Sequence, residues 1–327
     1  MLNVEKIQEL LGNEYTCEAF TERKNNLTLN RVNIQKNGMN IGMCLNLSDQ
    51  FETENELVNF FLEKQTEFCV ISKKADTDYQ NKIKIWAKAK ENVFMGLYGD
   101  PEYASEYLNK PFKNLFMIPY ICFENAGGIV VSTKIKRDWY PSVPKEIIFQ
   151  TALENTEKEA CFYDMEDLIC GFLHDEEQKD PENLLYQHVE GNSMLYVLTN
   201  EDKSHGASVF LCDTVQKKLQ EVFPEGCYII PSSIHECIVA NKNMMSPSEV
   251  LDIVQEMNDT NVEPCDKLSD SVYIFKEGKN NSCILGKRRN SVPLFFLCKK
   301  IFFINCDIIL ISKDRECRVY CLSFPLI

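Results

Sequence analysis

The sequence predicts an α+β protein of antiparallel sheets and helices, its C-terminal half a ferredoxin-like βαββαβ unit. Three observations carry this. Apolar runs of strand length recur along the chain. Capping boxes at Thr53, Asp213 and Ser246 precede segments of helical period. Asn37-Gly38 lies between alternating stretches, a pair favoured in type I′ hairpin turns.

In order, Val4, Ile7, Leu10 and Leu11 space a first helix that Gly12-Asn13 stops. Residues 26–47 read as a hairpin, with Ile41, Met43, Leu45 and Leu47 alternating after the turn. Thr53-Glu54-Asn55-Glu56 opens a helix buried through Leu57, Phe60 and Phe61. A longer helix is expected over about 78–95, with Ile83, Trp86, Val93 and Phe94 inward. Residues 114–123 and 128–133 form a second hairpin. Helices follow at 144–155 and 164–172. The charged run at 174–182 reads as a linker.

The C-terminal half is the clearest stretch. Met194–Thr199 is a strand; Asp213-Thr214-Val215-Gln216 opens a helix with Val215, Leu219, Val222 and Phe223 on one face. Strands at 227–230 and 235–240 flank the turn Pro231-Ser232-Ser233. Ser246-Pro247-Ser248-Glu249 opens a helix buried through Val250, Leu251, Val254 and Met257, and 271–275 is the last strand. This order implies a split βαβ sandwich with two helices on one face. The first strand then ends beside the second hairpin, bringing Thr199, Asn200, Glu201, Asp202 and His205 near Ser232, Ser233 and His235.

At 327 residues two domains are expected. They are an N-terminal α+β domain with hairpins at 1–174 and the βαββαβ domain at 188–278. Residues 283–327 differ: they hold five cysteines and a net charge of +5, against −19 for the rest. Lys299-Lys300, Asn305 and Asp307 interrupt their apolar run, and a charge at a helix centre costs roughly 2.5–3.5 kcal/mol on insertion. Three readings stand: an extra strand pair, a partner-binding tail, or a non-native extension from a frameshift or mis-joined coding sequence.

The overall charge of −14 disfavours nucleic-acid and anionic-membrane partners. Fifteen cysteines without a Cys-x-x-Cys pair, behind an amphipathic N-terminus carrying Glu5 and Glu9, read as reduced thiols of a soluble, acidic cytoplasmic protein.

The segments MLYVLTNEDKSHGASVFL, YIIPSSIHECIV, EVLDIVQEMNDTNVEPCDKLSDSVYIF, DWYPSVPKEIIFQTALENT and NGMNIGMCLNL resemble an uncharacterised bacterial family of Gram-positive anaerobes, domain of unknown function 5688. A more distant likeness runs to domain of unknown function 1444. The resemblance covers about residues 1–278 and implies no established activity, cofactor or catalytic residue. The segment before the helix at 144 is longer here, and the tail after 280 has no counterpart.

Two functional readings follow. The first is a non-catalytic binding or regulatory module whose edge, Thr199, Asn200, Asp202, His205, Ser232, Ser233, His235 and Glu236, meets an unknown protein or small molecule. The alternative is a hydrolase-type enzyme with a Ser/His site at that edge. The second needs a serine within about 2.6–3.2 Å of a base, with an oxyanion hole. No Gly-x-Ser-x-Gly elbow is present, and Pro-Ser-Ser also serves as ordinary turn chemistry. No metal is expected: His174, His188, His205 and His235 lack ligand spacing. No cofactor is expected either, since the phosphate-cradling glycine motifs are missing. Trp86 and Trp139 read as core residues.

Overall fold

The computed structural model describes residues 2–38, 41–47, 51–64, 83, 85–124, 130–168, 181–260, 262–276, 283–285, 307–312 and 320–323. The chain is α+β, with helices and antiparallel sheets. It divides into two compact units: 1–93 with 120–143 and 304–327, and 94–119 with 144–303.

In the first unit, α1 (Val4–Leu11) is capped by the Asn3 side chain and ends at Gly12, whose φ of 70° suits glycine. β1 (Tyr15–Lys24) pairs with β2 (Leu27–Lys36), and β2 with β3 (Ile41–Asn46). The β2–β3 hairpin turns at Asn37-Gly38, but Ile34 opposite Met43 leaves a four-residue connection rather than a two-residue turn. Only Gly38 of that pair takes a positive φ, 86°. β1 has no apolar alternation to announce it. Its Glu22 instead ion-pairs at 3.2 Å with Arg31 of β2, which is 2% exposed. Residues 54–64 form α2, started by the Thr53 hydroxyl accepting from Glu56 N–H at 3.2 Å.

The helix expected over 78–95 falls partly outside the described residues. Its described portion is short: α3 (Trp86–Ala89) gives way to β4 (Val93–Tyr98). Val93 and Phe94 are therefore strand residues, in a run whose buried side chains favour the pleated form. α4 (Pro101–Ser105) and β5 (Lys110–Phe112) follow, and β6 (Leu115–Glu124) pairs with β7 (Val130–Lys134).

In the second unit, α5 (Lys145–Lys158) leads into β8 (Ala160–Asp164) and the helical turn α6 (165–168). The linker expected at 174–182 lies outside the described residues up to 180. Then come β9 (Leu195–Asn200), α7 (Asp213–Val222), β10 (Cys227–Ile230), β11 (Cys237–Asn241), α8 (Pro247–Thr260) and β12 (Val272–Phe275). The βαββαβ element order is present, but the ferredoxin-like pairing is not confirmed. In that arrangement the fourth strand lies beside the first; here the order is β12-β10-β11-β9-β8, so β12 lies beside the second. β8 takes the edge of β9 instead, Phe162 opposite Leu198. The helices also serve different faces. Val250, Val254 and Met257 of α8 pack with Val197, Ile230 and Ile238. Phe223, at the end of α7, meets Tyr196, which faces the other way from Val197.

The capping box at Asp213 does not form. Cys212 is the cap residue without a side-chain bond, and Glu157 of α5 accepts from Thr214 N–H at 2.6 Å. The box at Ser246 does form: Glu249 accepts from Ser246 N–H at 2.7 Å and Ser246 accepts from Glu249 N–H at 3.3 Å. Ser246→Ala is therefore expected to cost about 1 kcal/mol in denaturant unfolding; an unchanged midpoint would show that the helix does not need the cap.

Three strands come from the tail. β13 (Cys283–Leu285) pairs with β12, β14 (Asp307–Ser312) with β3, and β15 (Tyr320–Ser323) with both β14 and β7.

Candidate functional site

The direct pairing of β9 with β11, Leu198 opposite Cys237, brings the end of β9 to the loop before β11. Thr199 Oγ1 donates to His235 O at 2.9 Å. Gly206 fits between these segments: a Cβ there would stand 2.5 Å from Asn200 N and 2.8 Å from His235 O. Ala207 N–H then donates to Ile234 O at 3.2 Å.

The two histidines meet on this frame. His205 sits at φ 56° and ψ 19°, a left-handed conformation that turns the chain at the rim. Its N–H donates to His235 Nδ1 at 3.3 Å, and the rings lie 5.7 Å apart. His235 Nε2 is 3.4 Å from Asp266 Oδ2. Because Nδ1 accepts, the proton of the neutral ring is on Nε2 and points to the carboxylate. Ser204 Oγ lies 3.1 Å from His205 Nδ1.

The two serines are elsewhere in this arrangement. Ser233 is 1% exposed, and its hydroxyl accepts from His235 N–H at 3.0 Å and serves the Glu236 carboxyl. Ser232 is 0% exposed. Asn200 Oδ1 accepts from Ser204 N–H at 2.9 Å, holding the turn before His205. Asp202 is exposed and acts on Glu159. Burial pushes the Glu159 carboxyl up to about 7, and the negative charges of Asp202 and Glu201 add to the effect. Glu236 is likewise raised to about 7, first by burial. His235 and the Ser233 hydroxyl oppose that rise, and Asp266 adds to it.

The family model described as a family of unknown function, DUF5688, matches residues 3–277. The chain belongs to the DUF5688 family. No curated protein and no solved structure matches it.

In this DUF5688 chain the frame thus joins Thr199, Asn200, His205, Ser233 and His235, while Asp202 stands with Glu159. Asp266 and Ser204 are contacts that the sequence did not single out. Asp266 follows a helix and a turn with no periodic pattern, so only the tertiary pairing of 232–234 with 266–268 reveals it. Among the described residues, no group of three or more His, Cys, Asp or Glu is placed to hold a metal. His188 lies 4.0 Å from Glu221, and His174 is outside the described residues. No described helix is long and apolar enough to cross a membrane.

Proposed function

We propose that this DUF5688 chain is a non-catalytic binding or regulatory protein whose recognition surface is the rim around His205. One observation carries this reading: both ring nitrogens of His235 are engaged inside the chain, by His205 N–H and by Asp266. A general base needs a free nitrogen within reach of its nucleophile. Ser232 and Ser233 are also closed to substrate, at 0% and 1% exposure. The exposed residues Glu201, Asp202 and Lys203, with half-buried Ser204 and His205, leave a polar surface held on buried Thr199 and Asn200. We also place the protein in the bacterial cytoplasm, since fifteen cysteines without a Cys-x-x-Cys pair suit a reducing compartment.

The test pairs an activated-ester assay with a thermal-shift screen of the full chain against metabolites and nucleotides. His205→Asn keeps a residue that tolerates the left-handed backbone while removing the ring. A ligand at a hundredfold over its Kd adds about 2.7 kcal/mol. The expected result is no ester turnover and a midpoint rise that His205→Asn loses. Turnover that disappears in Ser233→Ala would overturn the reading in favour of a hydrolase.

A further inference from the structure

The backbone of His235 is held from both sides. Its N–H donates to Ser233 Oγ at 3.0 Å, and its carbonyl accepts from Thr199 Oγ1 at 2.9 Å. Asp266, beside Nε2, is tied to the same loop, since Ile234 N–H donates to Asp266 O at 2.8 Å. The segment that meets Nδ1 is different in kind. Lys203 and His205 both stand at positive φ, 53° and 56°. Such conformations persist in residues other than glycine only where surrounding contacts impose them. Three bonds run from this segment to the frame: Lys203 N–H to Asn200 O at 3.0 Å, Ser204 N–H to Asn200 Oδ1 at 2.9 Å and His205 N–H to His235 Nδ1 at 3.3 Å. Of these acceptors only the imidazole nitrogen is of a type that takes up a proton near neutral pH.

We infer that His235 is an acid-released latch on the 203–205 turn. The neutral ring holds the turn through Nδ1, and the protonated ring lets it go. The chemistry follows from what each nitrogen carries. In the neutral ring Nε2 bears the proton, toward Asp266, and the lone pair of Nδ1 accepts from His205 N–H. The proton that charges the ring arrives at Nδ1, after which both nitrogens are donors. Nδ1–H then faces His205 N–H, donor against donor, and that bond is lost. On the other side the charged ring completes an ion pair with Asp266, which keeps it in place. The backbone of His235 is fixed, so the turn is the part that moves. Gly206 confines the movement to 203–205, because the chain there lies too close to Asn200 N and His235 O to take even a Cβ.

The titratable and charged groups about the ring come from three places. Asp266, from the segment after α8, is 3.4 Å from Nε2; Lys267 beside it is engaged by Asp270 at 2.7 Å. The His205 ring, from the rim, is 5.7 Å away, and Tyr98 of β4 meets that ring at 6.3 Å. Glu236, the next residue, has a carboxyl that His235 and Asp266 both influence. The latch does not need the rim to bind anything. Its consequence, a rim ligand held at neutral pH and released in acid, rests on the reading of that rim as the recognition surface.

The full chain, labelled with nitrogen-15 and without ligand, is titrated from pH 8 to pH 5 by NMR. The ring nitrogens of His235 report its protonation, and the His205 amide reports the bond. The His205 amide proton is expected to move upfield with the same midpoint as the ring, while the Ile234 amide, bonded to Asp266 O, keeps its place. In His235→Asn the side-chain oxygen accepts in place of Nδ1 and does not titrate, so the His205 amide should hold its shift down to pH 5. His205→Asn keeps a residue that tolerates the left-handed backbone and removes that ring's own titration. It should retain the response at amide 205, and so should Glu236→Gln. A His235 ring that stays neutral down to pH 5, or a His205 amide that does not follow the ring, would overturn the inference. So would an equal movement in His235→Asn, or a response lost in Glu236→Gln. The wild-type co-titration decides even where a variant does not fold. A flat ligand screen leaves the latch standing, since no ligand takes part in this titration.

Discussion

Glu236→Gln is expected to stabilise the protein by about 2 kcal/mol at pH 8 and by far less at pH 5. The folded-state carboxyl titrates at about 7, raised from 4.5 chiefly by burial. Between those values the folded chain keeps a proton that the unfolded chain has released. Stability from this group is thus highest below the unfolded value, falls as pH rises through the window, and is flat above it. The full shift corresponds to somewhat more than 3 kcal/mol, and the surface that Glu236 retains reduces it to about 2 kcal/mol. Glutamine has nearly the same shape and no charge to desolvate. Unfolding in denaturant at both pH values measures the difference; the same gain at pH 5 as at pH 8 would rule out the charge as its cause.

Gly206→Ala is expected to cost about 3 kcal/mol, the upper part of the range for overpacking a tight site. The added Cβ would meet Asn200 N at 2.5 Å, Thr199 Oγ1 at 2.6 Å and His235 O at 2.8 Å. Two of these are backbone atoms within paired segments, so neither can rotate away. Relief requires moving the 205–207 segment off the end of β9, which also breaks the Thr199–His235 link. Gly38→Ala is the control. It has a positive φ of 86° with nothing within 4 Å of a Cβ, so only backbone strain of about 1 kcal/mol applies. Equal losses at the two glycines in denaturant unfolding would mean that the close approach at Gly206 is not a constraint.

How far the sequence disclosed this structure depended on whether local chemistry or tertiary pairing decided each element. The box at Ser246 and the existence of a hairpin around Asn37-Gly38 are local and were readable, but the two-residue type I′ turn expected there is a four-residue connection instead. The box at Asp213 was equally clear as a pattern, but Glu157, from another helix, reached Thr214 first. β1 and β8 were missed for a different reason. Glu18, Glu22 and Arg23 break the alternation of β1, and its buried Glu22–Arg31 pair exists only once β2 is alongside. β8 is five residues long and only Glu159 separates it from α5, giving no boundary signal. The proximity of His205 and His235 was foreseeable because it rests on β9 pairing with β11, a step shared with the expected topology. Asp266 was not, because its partners are set by how the chain returns after α8.

β14 and β15 fill the interval between β3 and β7, Ile309 standing opposite Cys44 and Cys321 opposite Ser132. Both lie beyond residue 277, where the family match ends. A relative lacking this hairpin would carry two unpaired ladders of N–H and C=O groups, one on β3 and one on β7. Such edges recruit strands from other chains unless they are covered, charged or twisted away. Self-association, rather than loss of folding, is therefore the hazard that shortening the chain at this end would create.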